Sequence, residues 1–399
     1  MVTGSEIVFE NIYDARDYIL EIEAEKLSDL VNKLGEQPLT QMFPEYFNDY
    51  DEKKFIMRPL KSGRYSLKPN LKGRKFLFRG ETTFHKTCAP NFYRVSEKTD
   101  YLDYNVRGDE MRRVILSHPL VQLLDLGVEL NGKVYKFEMN LFGLLQHYYH
   151  KTSLLDLSSD INVALFFATQ EYDPKSDKYN PIIKEDLDPG IIYFYELNYI
   201  GDFKSPQSRL STIGLQVFPR SGRQKGFLYR LEKGENFNNL KQIHAVRFKH
   251  NEKIAREISE NMNCGKELFP EDVLSRYWGK KGNSEIISRE ALIMNHIDNH
   301  DETLASLQSR LLADYNISVM DYSPNLSIRD LDEYYINSIS IWKEFCNQIL
   351  IPFDHNGLLK EELLKVPDNP KYKWAFEKDA NKEVNFNDGY LLKKYQEIL

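Results

Sequence analysis

The sequence predicts an α+β (mixed α/β) core domain over residues 75–278, a helical and basic segment before it (1–74), and a mostly α-helical domain after it (279–399). Three observations predict this. Short aromatic and β-branched runs recur through the middle of the chain, among them KFLFRGE (Lys75–Glu81) and GIIYFYEL (Gly190–Leu197), and such runs favour strands. Apolar residues at three and four spacings dominate both ends. GKKGNS (Gly279–Ser284) combines glycine with polar residues, as linkers do.

Composition narrows the class. At 399 residues, with 41% hydrophobic and 13% aromatic residues, the chain is long enough for two domains with packed cores. A net charge of −7 argues against a protein built wholly to coat nucleic acid, but not against a local basic groove. Cys88, Cys264 and Cys346 are odd in number and far apart, which fits a reducing compartment. The N-terminus carries acids and no basic leader, and no apolar run approaches the roughly 18 residues that a membrane span needs. A cytoplasmic protein without a membrane partner is expected.

Glu6 to about Leu34 reads as a helix, and Pro38 and Pro44 interrupt the pattern. Lys53 to Arg94 holds twelve Lys or Arg and one acid, Glu81. This stretch is either a solvated face or a nucleic-acid surface on which Phe55, Tyr65, Phe76, Phe78, Phe92 and Tyr93 stack bases. In KFLFRGE the alternation of Phe76 and Phe78 with Lys75, Leu77 and Arg79 predicts a strand with one buried face, ended by Gly80. Asp109–Leu124 reads as a helix broken at His118-Pro119, and Asn131-Gly132 as a hairpin turn. Phe142–Tyr149 has helical spacing. It leads into a polar turn containing His147, Thr152, Ser153 and Asp156, after which Ser158, Ser159 and Asp160 are placed to cap a helix that buries Ala164, Phe167 and Ala168. Tyr172–Pro189 reads as an exposed loop and Gly190–Leu197 as a strand buried on both faces. Gly226–Leu231 and Ile243–Phe248 follow as strands, and Asn251–Met262 as an amphipathic helix. Beyond the linker, SREALIMNHI, ETLASLQSRLLADY, SIRDLDEYYINSISIWKEFCNQIL and GYLLKKYQEIL read as helices.

Walker, GxGxxG, HExxH, CxxC and GxSxG signatures are absent. His296 and His300, four apart, are too few for a metal site, and no metal is predicted. Arg79 is the leading ligand-binding candidate. A guanidinium held at a strand end, hydroxyls and a helix N-terminus are the parts from which anion sites are built. The same arginine also suits a structural pair with an acid such as Asp156. His147 reads equally as a buried core histidine, and Asp156 as a helix cap or a partner of Arg79.

These residues resemble the FRG domain, a mostly bacterial family named for its Phe-Arg-Gly signature. The resemblance rests on Phe78-Arg79-Gly80, on Gln146-His147-Tyr148 through Leu154-Leu155-Asp156 to Ala164–Ala168, on PRSGRQKGFL (Pro219–Leu228) and on LFPED (Leu268–Asp272). It spans Lys75 to Trp278, with Thr152-Ser153 where the family usually shows Thr-Arg. It adds Gly80 and Arg220 to a ligand-binding set of Arg79, His147, Thr152, Ser153 and Asp156. It also implies a role as an effector in antiviral defence or a toxin system.

A more distant resemblance is to the Arg-Ser-Glu arrangement of ADP-ribosyltransferases. It implies NAD as the cofactor, with Arg79 on its phosphate or ribose and Thr152 or Ser153 supplying a hydroxyl. The third position falls on Gln224, which carries no charge to stabilise a cation, so Glu271 and Glu81 join it as catalytic candidates. The expected function is nucleotide binding with cleavage of NAD or transfer of ADP-ribose. The alternatives are a non-catalytic nucleotide or phosphate sensor that signals to a protein partner through the C-terminal helices, and nucleic-acid binding by the 53–94 stretch.

Overall fold

The computed structural model describes residues 7–94, 101–148, 151–184, 187–203, 208–281, 284–298 and 302–378. The chain opens with β1 (Val8–Phe9), the long helix α1 (Ile12–Leu34) and α2 (Glu36–Met42), then β2 (Phe55–Pro59), β3 (Tyr65–Pro69) and β4 (Phe76–Glu81). Helices α3 (Leu102–Leu116) and α4 (Pro119–Leu126) precede the hairpin β5 (Val128–Leu130) and β6 (Lys133–Tyr135), and α5 (Leu141–His147) follows. Next come β7 (Leu154–Ser158), α6 (Ile161–Thr169), β8 (Gln170–Asp173), β9 (Lys178–Pro181) and β10 (Gly190–Glu196). Then follow β11 (Leu210–Thr212), α7 (Pro219–Arg223), β12 (Gly226–Arg230), β13 (Ile243–Phe248), α8 (Glu252–Asn261) and α9 (Val273–Lys281). The C-terminal part holds β14 (Ile286–Ser288), α10 (Arg289–Asp298), α11 (Leu304–Tyr315), β15 (Ser318–Met320), α12 (Asp332–Asn347), β16 (Ile349–Leu350) and α13 (Leu358–Leu364). The mixed α/β class and the largely helical C-terminal region agree with the sequence reading.

Among the described residues, seven strands form the main sheet in the order β1-β13-β10-β4-β7-β12-β11. Only β1 pairs in parallel, with β13; the other pairings are antiparallel. Strand β4 is therefore central, and it is buried on both faces rather than one. Phe76 and Phe78 face α6, α8 and α1 in one core, while Leu77 joins Tyr193, Leu155 and Phe227 in the other. The flanking lysine and arginine lent it the appearance of a half-exposed strand. Helix α1 is tied to the start of β4 by buried Glu23, whose Oε1 accepts from the backbone N–H of Lys75 (2.7 Å) and Phe76 (2.9 Å).

Several local readings are corrected. Leu154–Ser158, expected within a polar turn, is a strand paired along its length with β12. Tyr172–Pro189, expected as loop, holds part of the β8–β9 hairpin. Helix α9 continues through Lys281 into the stretch expected as a linker; residues 282 and 283 lie outside the described residues, as do His300 and the helix expected for Gly389–Leu399.

Of the six rings expected to stack bases along Lys53–Arg94, four lie inside the protein, while Phe92 and Tyr93 are half-buried. Phe55, Tyr65, Phe76 and Phe78 are buried. Among the twelve cations of the stretch, Arg64 pairs with Asp125, Lys68 with Glu45, Arg74 with Glu23 and Arg79 with Glu81, all within the molecule. A charge count along the stretch could not register Asp125, Glu45 and Glu23, which lie outside it. Strand β2 pairs with β16, and Trp342, Phe345 and Leu363 of α12 and α13 share one core with Phe55, Leu123, Phe137 and Leu144. Among the described residues no helix is long and apolar enough to cross a membrane.

Candidate functional site

Strands β4 and β10 pair over six residues, whereas β4 and β7 meet only at Phe78 and Ser158. Beyond that bridge the two strands part, and Arg79 spans the opening. Its Nη1 donates to the backbone oxygen of Asp156 (3.1 Å), and its Nε and Nη2 donate to Glu81 Oε1 (3.0 and 2.7 Å). Burial opposes charge on both partners. Their mutual attraction outweighs it, holding the Glu81 carboxyl below its usual range and the Arg79 guanidinium above its own. The acid that pairs with Arg79 is thus its neighbour two residues on, on the same side of the strand, while Asp156 contributes its backbone.

Gly80 is required by the helix above it. A Cβ there would lie 1.9 Å from the Ala164 carbonyl oxygen and 2.9 Å from Ala168 Cβ, so glycine lets β4 and α6 approach closely.

The opening leads into a cleft of about 450 Å³ lined by Arg79, Gln146, His147, Thr152, Asp156 and Gln224, with Phe167, Tyr179 and Phe269 on its aromatic side. A deeper recess of about 210 Å³ shares Arg79, His147, Asp156 and Gln224 and continues to Gly80, Ser158 and Ala164. The rings of Tyr179 and Phe269 are stacked, with centroids 4.8 Å apart. Thr152 Oγ1 donates to Gln146 Oε1, and Gln146 Nε2 donates to Asp156 Oδ2 (2.6 Å). This leaves Asp156 Oδ1, buried, without a hydrogen-bond partner among the described residues.

His147 ends α5 and is buried. Desolvation lowers its pKa, Asp156 partly opposing, so the ring is neutral. Gln224 caps α7 and donates to the Leu268 backbone oxygen (3.1 Å). Arg220 lies behind the cleft, donating to the His147 backbone oxygen (3.2 Å) and covering the Tyr148 ring at 4.6 Å. The Tyr148 hydroxyl in turn donates to Asp272 of LFPED.

The structure thus brings Arg79, Gly80, His147, Thr152, Asp156 and Gln224 together. Ser153 faces a neighbouring cleft, and Arg220 supports the site from behind. Glu271 lines a different cleft, where its side chain is 74% exposed and pairs with Arg276 at 3.4 Å. The expected anion site at the α6 N-terminus is closed by the protein's own carboxylate: Asp160 accepts from the Asn162 N–H (3.0 Å) and pairs with Lys225 (3.1 Å).

Sequence reasoning missed Gln146 and the aromatic side. Gln146 sits one residue before His147 in a quoted motif. Tyr179 was hidden by the polar composition around it, and Phe269 by its distance along the chain. Among the described residues no group of three or more His, Cys, Asp or Glu is placed to hold a metal ion.

No curated protein and no solved structure matches the chain. Residues 74–177 match the FRG domain family, a stretch that includes Arg79, Gly80, His147, Thr152 and Asp156 and stops short of Tyr179, Gln224 and Phe269. An arginine at the parting of β4 and β7 and a glycine demanded by close helix packing give the Phe-Arg-Gly signature its physical content here, and the chain carries an FRG domain over residues 74–177.

Proposed function

We propose that the cleft beside Arg79 binds a nucleotide, with NAD as the first ligand to test. One observation carries the reading: a fixed guanidinium, a hydroxyl, a carboxamide and a stacked aromatic pair face the same concave space. Phosphate or ribose oxygens suit the guanidinium, Thr152 and Gln224, and a base suits the Tyr179–Phe269 side. Arg79→Lys keeps the charge but loses the planar fork, so the variant is expected to fold and to bind NAD at least about tenfold more weakly. Calorimetry with NAD and a thermal midpoint on the same sample test this. Wild type that binds no NAD sinks the reading, and a variant that unfolds assigns Arg79 to the structural pair with Glu81.

Cleavage of NAD at its nicotinamide–ribose bond is a second reading, favoured by the unpartnered Oδ1 of Asp156. A carboxylate beside the ribose stabilises the positive charge that gathers there as nicotinamide leaves. Asp156 takes the part expected of Glu271 or Glu81, because it lines the cleft and its recess and they line neither. Asp156→Asn is expected to lower nicotinamide release about a hundredfold with little change in NAD affinity, and Glu271→Gln to leave release unchanged. Wild type that binds NAD without consuming it leaves a sensor. A place in antiviral defence or a toxin system is what the family resemblance implies, and in the sensor reading the C-terminal helices signal to a protein partner.

A further inference from the structure

The cleft does not end at Thr152. Lys151, Thr152 and Leu154 line both it and a second cleft of about 350 Å³, which runs on to Phe92, Tyr93 and Arg230. The second cleft has the same two chemical ingredients as the first. Its rings are Phe92, which stacks on Tyr101 with centroids 4.2 Å apart, and Tyr93, which lines the cleft together with Ser153. Its lining holds three cations, Arg112, Lys151 and Arg230, and one carboxylate, Asp109, with Glu232 near Tyr93 outside the lining. Arg112 and Asp109 neutralise each other at 2.6 Å, whereas Lys151 donates to the Tyr104 hydroxyl (2.9 Å) and among the described residues meets no carboxylate, and Arg230 in the lining is exposed. On a protein of net charge −7, two cations beside aromatic rings mark a place for an anionic ligand that carries a ring.

We infer that the two clefts together form one extended site for a dinucleotide, with the second nucleoside phosphate held by Arg230, Tyr93 and Phe92, and the linking phosphates beside Lys151 and Thr152. This rests on the nucleotide reading of the first cleft and deepens it. A mononucleotide fills one half, whereas a dinucleotide gains the contacts of both halves within one binding event, an advantage that linkage alone makes large.

The test is calorimetry of NAD, AMP and nicotinamide mononucleotide on wild type, on Arg230→Glu and on the Tyr93→Ala/Arg230→Glu double variant, with a thermal midpoint for each. Wild type is expected to bind NAD at least tenfold more tightly than the better mononucleotide. Arg230→Glu is expected to shrink that advantage and the double variant to abolish it. A wild type without the advantage, or a folded Arg230→Glu variant that keeps it in full, overturns the second subsite while leaving nucleotide binding at Arg79 in place. Wild type that binds none of the three ligands overturns the nucleotide reading itself, and the subsite with it.

Discussion

Gly80→Ala is expected to destabilise the protein by about 3 kcal/mol or more, at the top of the range for overpacked cores. The added methyl group would meet the Ala164 carbonyl oxygen at 1.9 Å and its carbon at 2.8 Å. A flexible side chain could turn away, but these atoms belong to the backbone of α6, so relief requires the helix to lift from β4. Lifting it exposes Phe76, Phe78, Ala164, Phe166 and Ala168, which form the core between them. Urea unfolding followed by circular dichroism measures the loss. A change below about 1 kcal/mol would mean that β4 and α6 are not in such close contact. Because β4 also carries Arg79, the surviving folded fraction should bind ligand poorly, which separates this variant from Arg79→Lys, where the fold is kept.

The signature was therefore legible in the sequence for reasons that the structure divides. Arg79 was placed at a strand end because Gly80 follows it, but β4 runs on through Gly80 and Glu81, which pair with Ile192 and Ile191, so Arg79 lies within the strand, beside the point where β7 parts from it. The packing role of Gly80 could not be read, because the helix that demands glycine begins some eighty residues later. Asp156 was singled out but placed in a turn: Leu154–Ser158 is only five residues long with a charge at its centre, and its strand character comes from pairing with Gly226–Arg230. Local pattern is silent about such partners. The helices α10, α11 and α12 were legible because each keeps an apolar stripe. Their packing was not, since nothing in the stripe on α12 says that Trp342 will meet residues from the first half of the chain. Glu271 shows the opposite failure. It lies two residues from Phe269, which does line the cleft, yet its own side chain turns to Arg276.

The widest effect of pH should come from His118, which lies outside the Arg79 cleft. The sequence marks His118-Pro119 as a helix break, and the structure makes His118 the cap of α4, its Nδ1 accepting from the Leu120 N–H at 3.2 Å. The ring is 4% exposed and lies edge-on to Phe218 and Tyr334, with centroids 5.1 and 4.7 Å away. Burial alone holds its pKa down to about 3. The sign follows from which state takes up the proton. Above the ordinary histidine value near 6.5 the ring is neutral in both states, and stability is complete. As pH falls below that value the unfolded chain binds a proton that the folded protein refuses, so stability drops until the folded pKa is reached. The slope is about 1.4 kcal/mol per pH unit, which gives about 3 kcal/mol between pH 6.5 and 4.5 and nearly 5 over the whole window. Carboxylates that are paired in the folded state add their own losses at the acid end, so the comparison that isolates the histidine is with His118→Asn. Asparagine preserves a capping acceptor for Leu120 and does not titrate. Wild type and His118→Asn, unfolded in urea at half-unit steps from pH 7 to 4.5, should differ in slope by about 1.4 kcal/mol per unit below pH 6; parallel curves would place His118 in contact with water, contrary to its position between Phe218 and Tyr334.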